Sequence, residues 1–581
     1  MKPLPLLQHH KVDYKNYLLL LVIALLAYWP ISFGVFSVKN DAIHYFLPYR
    51  FQISETLRQG EWPFWNPYIY LGYPVQGDMQ SGAWNPVVWI FSLIGRYDIT
   101  LFHYENLLYI FLGGVGMYKL TNRLADHSHT ALLIAASYML SGFMLSGQLI
   151  NWLAAAAFIP FVLHYYLQTL RTAALSNAVK TGIALYFLFT AGYPSFMILM
   201  GYLLLILFLL TVLRRVRKSA LKNSSWKRFT IQHLLIVLVF TGLALPAIVS
   251  FIDLLPYYQR GNGTSYTDAI INSFEWKHLL SFLFPSSIQA NDIVTSTDVT
   301  CRNVYIGLFA LIILAAFPPP LTRRNILLIC LALFALLFSL GNATPIRKIC
   351  YETMPLMNTF RHPSQTRLFF ILAILLLAAP GLKKVLSGQL TAVDTNKLKK
   401  ITWATTALLM VAFIIALTQS GIVGQLSGFR LSTLRTTAKN IFDSISTWDA
   451  IVLSCGLQVI FLVAFLFWLK KPATYKKLFS FLWITNLFIM AQLVLPASFV
   501  SRTSAAEINA FIHASPKGFP TTGLERSIAE NSKDAVSHFD KIALSYFYNK
   551  KIGISHITNS PAFLSTQDAF IENNFLYNYI A

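Results

Sequence analysis

Apolar residues in this chain come in long unbroken runs rather than in the alternating or amphipathic patterns of a water-soluble fold. The runs occupy positions 17–37, 101–121, 130–148, 152–170, 177–192, 195–213, 230–252, 303–318, 325–341, 366–382, 400–420, 449–470 and 477–495. Most approach the length a helix needs to cross a bilayer core, so the pattern predicts about thirteen transmembrane helices. A run at 84–95 is too short to cross and has Pro86 near its start, which predicts an interfacial or re-entrant helix. Segment 42–59 repeats with helical period, Ile43, Phe46, Leu47, Ile53 and Leu57 falling on one face, and predicts a second interfacial helix broken or started near Pro48. Past residue 496 the hydropathy falls. There IALSYFYNKKIGISHI alternates as a strand would, within an outer tail that is short for an independent domain and has the look of a short or truncated outer region.

The expected fold class is therefore an all-α polytopic membrane protein. Residues 1–495 form a multi-span domain, 38–86 are its first outer loop, and 496–581 are a small outer tail of mixed polarity. Composition agrees: of 581 residues 55% are hydrophobic and 12% charged, and mean hydropathy is +0.55. A soluble protein of that size cannot hide so much apolar surface.

A formal charge of +22 raises the question of nucleic acid. Its placement answers it. Basic residues cluster in short segments between runs, with no stripe interleaved with aromatics as base stacking needs, so no nucleic-acid partner is expected. With the N-terminus inside, the inner loops carry Lys11 and Lys15, Arg123, Arg171 and Lys180, the run 214–228, Arg323 and Arg324, Lys383 and Lys384, Lys397 to Lys400, and Lys470 to Lys477, against few acids. That bias places the N-terminus in the cytoplasm and the C-terminus outside. The first run reaches about Phe36 without a small-x-small cleavage site and reads as a retained signal anchor.

Cysteine is scarce. Cys330 and Cys455 lie within runs, while Cys301 and Cys350 fall at the outer ends of consecutive helices, where a disulfide is one expectation and two unrelated buried thiols the other. No His or Cys cluster has metal-ligand spacing, and no cofactor is expected; Asp41 and Asp78 sharing a hard cation would be a weak signal at their separation.

The first outer loop concentrates the candidate chemistry. Asp41 follows the first run within a few residues, level with the phosphate of a lipid-linked substrate, where a carboxylate can accept a proton from an incoming hydroxyl. His44, Tyr45 and Arg50 follow within two helical turns. Trp62, Trp65, Asn66, Asp78, Gln80 and Asn85 interleave aromatic faces with amides and an acid, a mixture that suits a sugar. Far along the chain, NTFRHPSQTRLFF places Arg361, His362 and Arg367 immediately before a span. Outer arginines run against the charge bias and suit a grip on phosphate, simple pairing with an outer acid being the alternative.

These two segments, NDAIHYFLPYRFQISETLRQGEWPFWNPYIYLGYPVQGDMQSGAWNP and NTFRHPSQTRLFF, resemble bacterial YfhO-like membrane proteins, which are similar to the GT-C superfamily of integral membrane glycosyltransferases. The resemblance implies a GT-C-like bundle in the bacterial cytoplasmic membrane. It implies transfer of a sugar from a polyprenyl-phosphate carrier, on the outer face, to a cell-envelope glycan, lipid or protein. The superfamily's essential first-loop aspartate falls on Asp41, and its carrier-phosphate arginine on Arg361. The rival expectation is a flippase or transporter of lipid-linked glycans, which would place ionisable residues within the spans; a non-catalytic envelope assembly factor is a third.

Overall fold

The computed structural model describes residues 14–66, 74–95, 97–147, 149–217, 223–255, 263–289, 292–421, 446–472, 476–501 and 503–514. The principal helices are α1 (Tyr14–Ala27), α2 (Leu47–Arg58), α3 (Pro86–Ile94), α4 (Ile99–Ala125), α5 (Ser128–Met139), α6 (Ile150–Arg171), α7 (Leu175–Thr190), α8 (Pro194–Arg217) and α9 (Asn223–Leu254). They continue with α10 (Leu308–Ala316), α11 (Arg323–Ser339), α12 (Pro345–Thr353), α13 (Arg367–Leu386), α14 (Ala392–Gln419), α15 (Thr447–Trp468), α16 (Lys476–Ser498) and α17 (Ala505–Ala514). No strand forms among the described residues, and the chain is an all-α, multi-pass membrane protein.

Eight helical segments among the described residues are long and apolar enough to cross a membrane, fewer than the thirteen expected. The five remaining runs fall on helices that are short or polar. Run 17–37 becomes the 14-residue α1, and a separate four-residue helix follows with Pro30 in its first turn. Run 303–318 opens in extended backbone and leaves nine residues for α10. Helices α7 and α11 have 16 and 17 residues, and α4 carries buried His103, Glu105 and Asn106 in its first turns.

The core is built on α5, whose spanning segment Ser128–Leu145 is 89% buried. Helices α1, α4, α13 and α16 pack around it. Small residues permit the close approach: Ala154–Ala157 on α6 and Gly113, Gly114 and Gly116 on α4. By contrast the spanning windows of α8 and α9 are each only 17% buried, leaving Leu205, Ile206, Leu234, Val237 and Leu238 as exposed apolar surface suited to lipid.

Three core helices give the bundle two chemically different ends. Glu105 lies near the start of α4, Asn151 and Trp152 at the start of α6, and Arg367 at the start of α13. Their far ends carry Arg123, Arg171 and Lys383. The eighteen residues from Glu105 to Arg123 correspond to a rise of about 27 Å. The first group defines a loop end and the second a basic end.

The first part of the expected C-terminal tail packs at the loop end. Val38 pairs with Val500 in an antiparallel bridge, Ser37 N donates to Thr503 O at 2.9 Å, and Asn509 Nδ2 on α17 donates to Thr100 Oγ1 at 3.0 Å. Residues 515–581, with the strand-like 542–557, and residues 422–445 between two of the apolar runs lie outside the described residues.

Candidate functional site

At the mouth of the first loop the backbone takes an unusual path. Asn40 is left-handed at φ 55°, its carbonyl accepts from Ile43 N at 2.9 Å, and residues Ala42–Phe46 form a π-turn with Asp41 capping its start. Such turns are rare and recur at functional sites. Asp41 is exposed there. His44 lies in the same turn, its side chain outside the described residues. Tyr45 donates its hydroxyl to Asp78 Oδ2 at 3.4 Å, and the other Asp78 oxygen accepts from Gln80 N at 2.8 Å. One contact thus ties Asp41's turn to the second half of the loop.

Two residues expected in the substrate pocket hold the loop instead. Arg50 is 2% exposed and lies 3.2 Å from Glu105 Oε2, while its Nη1 donates to the Ser81 carbonyl. Burial opposes the Arg50 charge, but the Glu105 carboxylate together with Tyr97 and Tyr109 outweighs it and the arginine pKa is raised. Tyr97 donates its hydroxyl to the same carboxylate. Asn85, buried, caps α3 through Oδ1, which accepts from Val87 N at 3.0 Å, and donates Nδ2 to Tyr109 at 2.9 Å. Both side chains spend their polar capacity on the protein.

The aromatic part of the loop forms a shelf. Trp62 packs on Trp84 at 4.8 Å and on Trp89 at 5.4 Å between centroids. Trp84 Nε1 donates to Gln76 O at 2.8 Å, and Trp65 is 38% exposed beside the buried Asn66.

The first loop meets the bundle at the start of α6. Gln80 O accepts from Asn151 Nδ2 at 3.4 Å, and Gly192, at φ +86°, brings its backbone against the Met79 carbonyl and Asn151 Nδ2. The next residue, Trp152, stacks on Phe143 at 5.9 Å and lies 5.5 Å from Tyr193. It also contacts the late arginine segment, 6.3 Å from the His362 ring and 5.9 Å from the Arg367 guanidinium. The structure therefore brings Tyr45, Asp78, Gln80 and His362 into one contiguous cluster through two residues that the sequence reading did not single out. Within it Gln76 Oε1, Asn151 Oδ1 and Trp152 Nε1 are buried with no hydrogen-bond partner among the described residues. Gln76, Asp78, Met79, Gly82, Trp84 and Thr190 line a small cavity alongside.

Arg361 and Arg367, expected to share one role, are placed differently. Arg361 is half-buried, and His362 beside it is left-handed at φ 59° with Nδ1 3.1 Å from Asn272 Nδ2. Arg367 is fully buried. Its three nitrogens donate to the carbonyls of Asn303 at 3.0 Å, Ser364 at 3.0 Å and Thr300, and its charge sits 4.7 Å from the Phe143 ring. A guanidinium so enclosed ties loops together rather than gripping a carrier phosphate. Arg347 acts alike: it collects the carbonyls of Met357 at 2.7 Å and Phe360 at 3.0 Å, and burial pulls its pKa down to about 10.

Cys301 and Cys350 do not form the expected disulfide; both thiols are free and buried. Each belongs to a different arginine, Cys301 to the Arg367 cage and Cys350 to Arg347, and burial pushes both thiols up. Next to the His362 segment an open recess of about 510 Å3 is lined by Ser273, Glu275, Lys277, Ser296 and Asn342, none of which stood out in the sequence. Among the described residues no three His, Cys, Asp or Glu side chains converge as metal ligands would.

No protein-family model matches the chain, and no curated protein matches it in sequence, so the YfhO-like resemblance has no match behind it. The fold is similar to that of ArnT from Cupriavidus metallidurans bound to undecaprenyl phosphate, at 10% identity and a TM-score of 0.52, covering 96% of this chain and 88% of that one. The apo form of the same protein gives 11% identity and 0.48 over 96% and 91% of the two chains. The oligosaccharyltransferase of Archaeoglobus fulgidus gives 13% and 0.39 over 91% and 59%.

Proposed function

We infer that the chain is a membrane glycosyltransferase that moves a sugar from a polyprenyl-phosphate carrier to a cell-envelope acceptor at the outer face of the cytoplasmic membrane, the loop end facing outward. The observation that carries this reading is the cluster at the start of α6. There Phe143 and Tyr193 flank Trp152, and Gln76 Oε1, Asn151 Oδ1 and Trp152 Nε1 are buried polar atoms with no hydrogen-bond partner among the described residues. Leaving such atoms unsatisfied costs about 1–3 kcal/mol each, and sugar hydroxyls against aromatic faces are a ligand that would satisfy them. The undecaprenyl phosphate bound by the similarly folded ArnT supports the carrier class.

In this reading Asp41 takes the proton of an acceptor hydroxyl. The freed oxygen lone pair attacks the anomeric carbon, the bond from that carbon to the carrier phosphate oxygen breaks, and the sugar inverts. The carrier phosphate departs as an anion stabilised by Arg361, with His362 alongside. Tyr45 and Asp78 hold the turn that presents Asp41, while Trp62 and Trp65 offer the aromatic shelf. Arg50 and Arg367 position the two segments without touching substrate.

Purified full-length protein should transfer a labelled sugar from a polyprenyl-phosphate donor, and Asp41→Asn should lower the rate about 10²–10⁴-fold, the usual worth of a general base. Trp152→Phe keeps an aromatic face and removes the indole N–H, so it should raise KM for the lipid-linked sugar with little change in kcat. Equal transfer by wild type and Asp41→Asn removes Asp41 from the mechanism. Passage of intact lipid-linked glycan across vesicles without transfer would favour the flippase.

A further inference from the structure

The basic end of the bundle gathers four cations with no carboxylate partner among the described residues. Lys119 and Arg123 sit one turn apart on α4, Arg171 ends α6, and Lys180 lies on α7. Lys119 Nζ is 5.7 Å from the Phe161 ring and 6.0 Å from that of Tyr165, and Lys180 Nζ approaches the same Tyr165 ring at 5.8 Å. His164, one residue before Tyr165 and buried, lies within electrostatic reach of Lys119, Arg123 and Lys180. Arg171 in turn repels both Arg123 and Arg324.

Two neighbouring cations are already committed. Arg324 Nη1 donates to Leu124 O at 3.1 Å, and Lys383 Nζ donates to the carbonyls of Ala125 at 2.7 Å and Asp126 at 3.2 Å, closing the C-terminal end of α4. The other four are not. Among the described residues no carboxylate pairs with Lys119, Arg123, Arg171 or Lys180, and Arg123 Nε is buried with no hydrogen-bond partner. Packed cations repel one another, and burying a donor without a partner costs free energy. One anion would relieve both.

We propose that Lys119, Arg123, Arg171 and Lys180 form a headgroup site for an anionic phospholipid of the inner leaflet. A lipid fits better than a soluble anion because the cations lie at helix ends where Leu175 and Ile183 expose apolar surface on α7, Ile183 one turn from Lys180. The phosphate sits among the cations and an acyl chain runs along that face, the arrangement of basic clefts between spanning helices. The site is at the opposite end from the transferase cluster, and it stands or falls independently of that reading.

The test is native mass spectrometry of the full-length protein titrated with phosphatidylglycerol or with phosphatidylcholine. Wild type should retain phosphatidylglycerol selectively. Arg123→Gln with Arg171→Gln should weaken that binding about 25-fold, near fivefold per charge at an anionic surface. Should the double variant fold poorly, Arg171→Gln alone, exposed at the end of α6, should still cost about fivefold. Lys397→Gln with Lys400→Gln, an equal charge removed from exposed positions on α14, should leave binding unchanged. Equal retention of the two lipids, equal weakening by the α14 pair, or displacement of the lipid by inorganic phosphate at equal concentration would each overturn the proposal.

Discussion

Arg50 and Glu105 form an ion pair of 3.2 Å with 2% and 0% of their side-chain surfaces exposed, joining the interfacial α2 to the first turns of α4. Removing one member of a buried pair strands the other charge, at a cost of about 3–5 kcal/mol. Arg50→Met should therefore lower thermal stability in detergent sharply, and Arg50→Met with Glu105→Leu should recover part of the loss. A melting curve unchanged by Arg50→Met would show the pair to be dispensable. Gly82 belongs to the same unit: at φ +85° it lies against the Arg50 guanidinium with no room for a Cβ, so Gly82→Ala should reproduce part of the effect.

The junction of first loop and bundle predicts a second effect. A Cβ on Gly192 would enter the space of the Met79 carbonyl oxygen, and its φ of +86° is costly for any side chain. Gly192→Ala should cost about 1–3 kcal/mol. It should also push Met79–Gln80 away from Asn151, raising KM for the lipid-linked donor in protein that still inserts. Normal transfer kinetics would dissociate this junction from the site.

How far the sequence led is clearest from the arginines. Long apolar runs are legible because hydrocarbon demands them, and the density of Trp, Asn, Gln and Asp in 38–86 marked the loop that reaches the cluster. Arg361 and Arg367 read alike in sequence. What separates them is that Thr300, Asn303 and Ser364 turn their carbonyls onto Arg367, an arrangement made by tertiary packing. Arg50 read as a pocket residue because its partner lies 55 positions away. The signal available was Glu105 itself, an acid inside an otherwise apolar run. Asn151 and Trp152 gave no warning, since they stand where an ordinary span begins. The eight spanning segments among the described residues fall short of the thirteen runs partly where runs include bends, as at Pro30 and at Gly307, whose φ is 98°.

Acid should loosen the loop segment that borders the recess of about 510 Å3. Outside the spans, His278 Nδ1 accepts from Glu275 N at 3.1 Å, and its Nε2 lies 3.3 Å from Thr295 Oγ1. A neutral ring satisfies both. Burial, with Arg302, Lys277 and Arg367 adding to it and Glu275 opposing, lowers the His278 pKa from 6.5 to about 4. Below pH 6.5 the unfolded imidazole binds a proton that the folded one refuses, so stability should fall as pH drops from 6.5 to about 4, by up to about 1.4 kcal/mol per unit. Glu275, held down to about 2 against its own burial by hydrogen bonds from Lys277, Thr295 and Thr297, contributes above pH 4.5 and is lost only as pH falls through about 2. Melting temperatures across pH 7 to 4 should slope downward in wild type and flatten in His278→Asn; parallel slopes would contradict the assignment.

The most direct test is a cryo-electron microscopy map of the full-length protein with polyprenyl phosphate bound. The phosphate should lie beside Arg361 and His362, its free oxygen directed toward Asp41. A phosphate held elsewhere, with Arg361 and the start of α6 empty, would leave the first loop and the late arginine segment without a shared substrate.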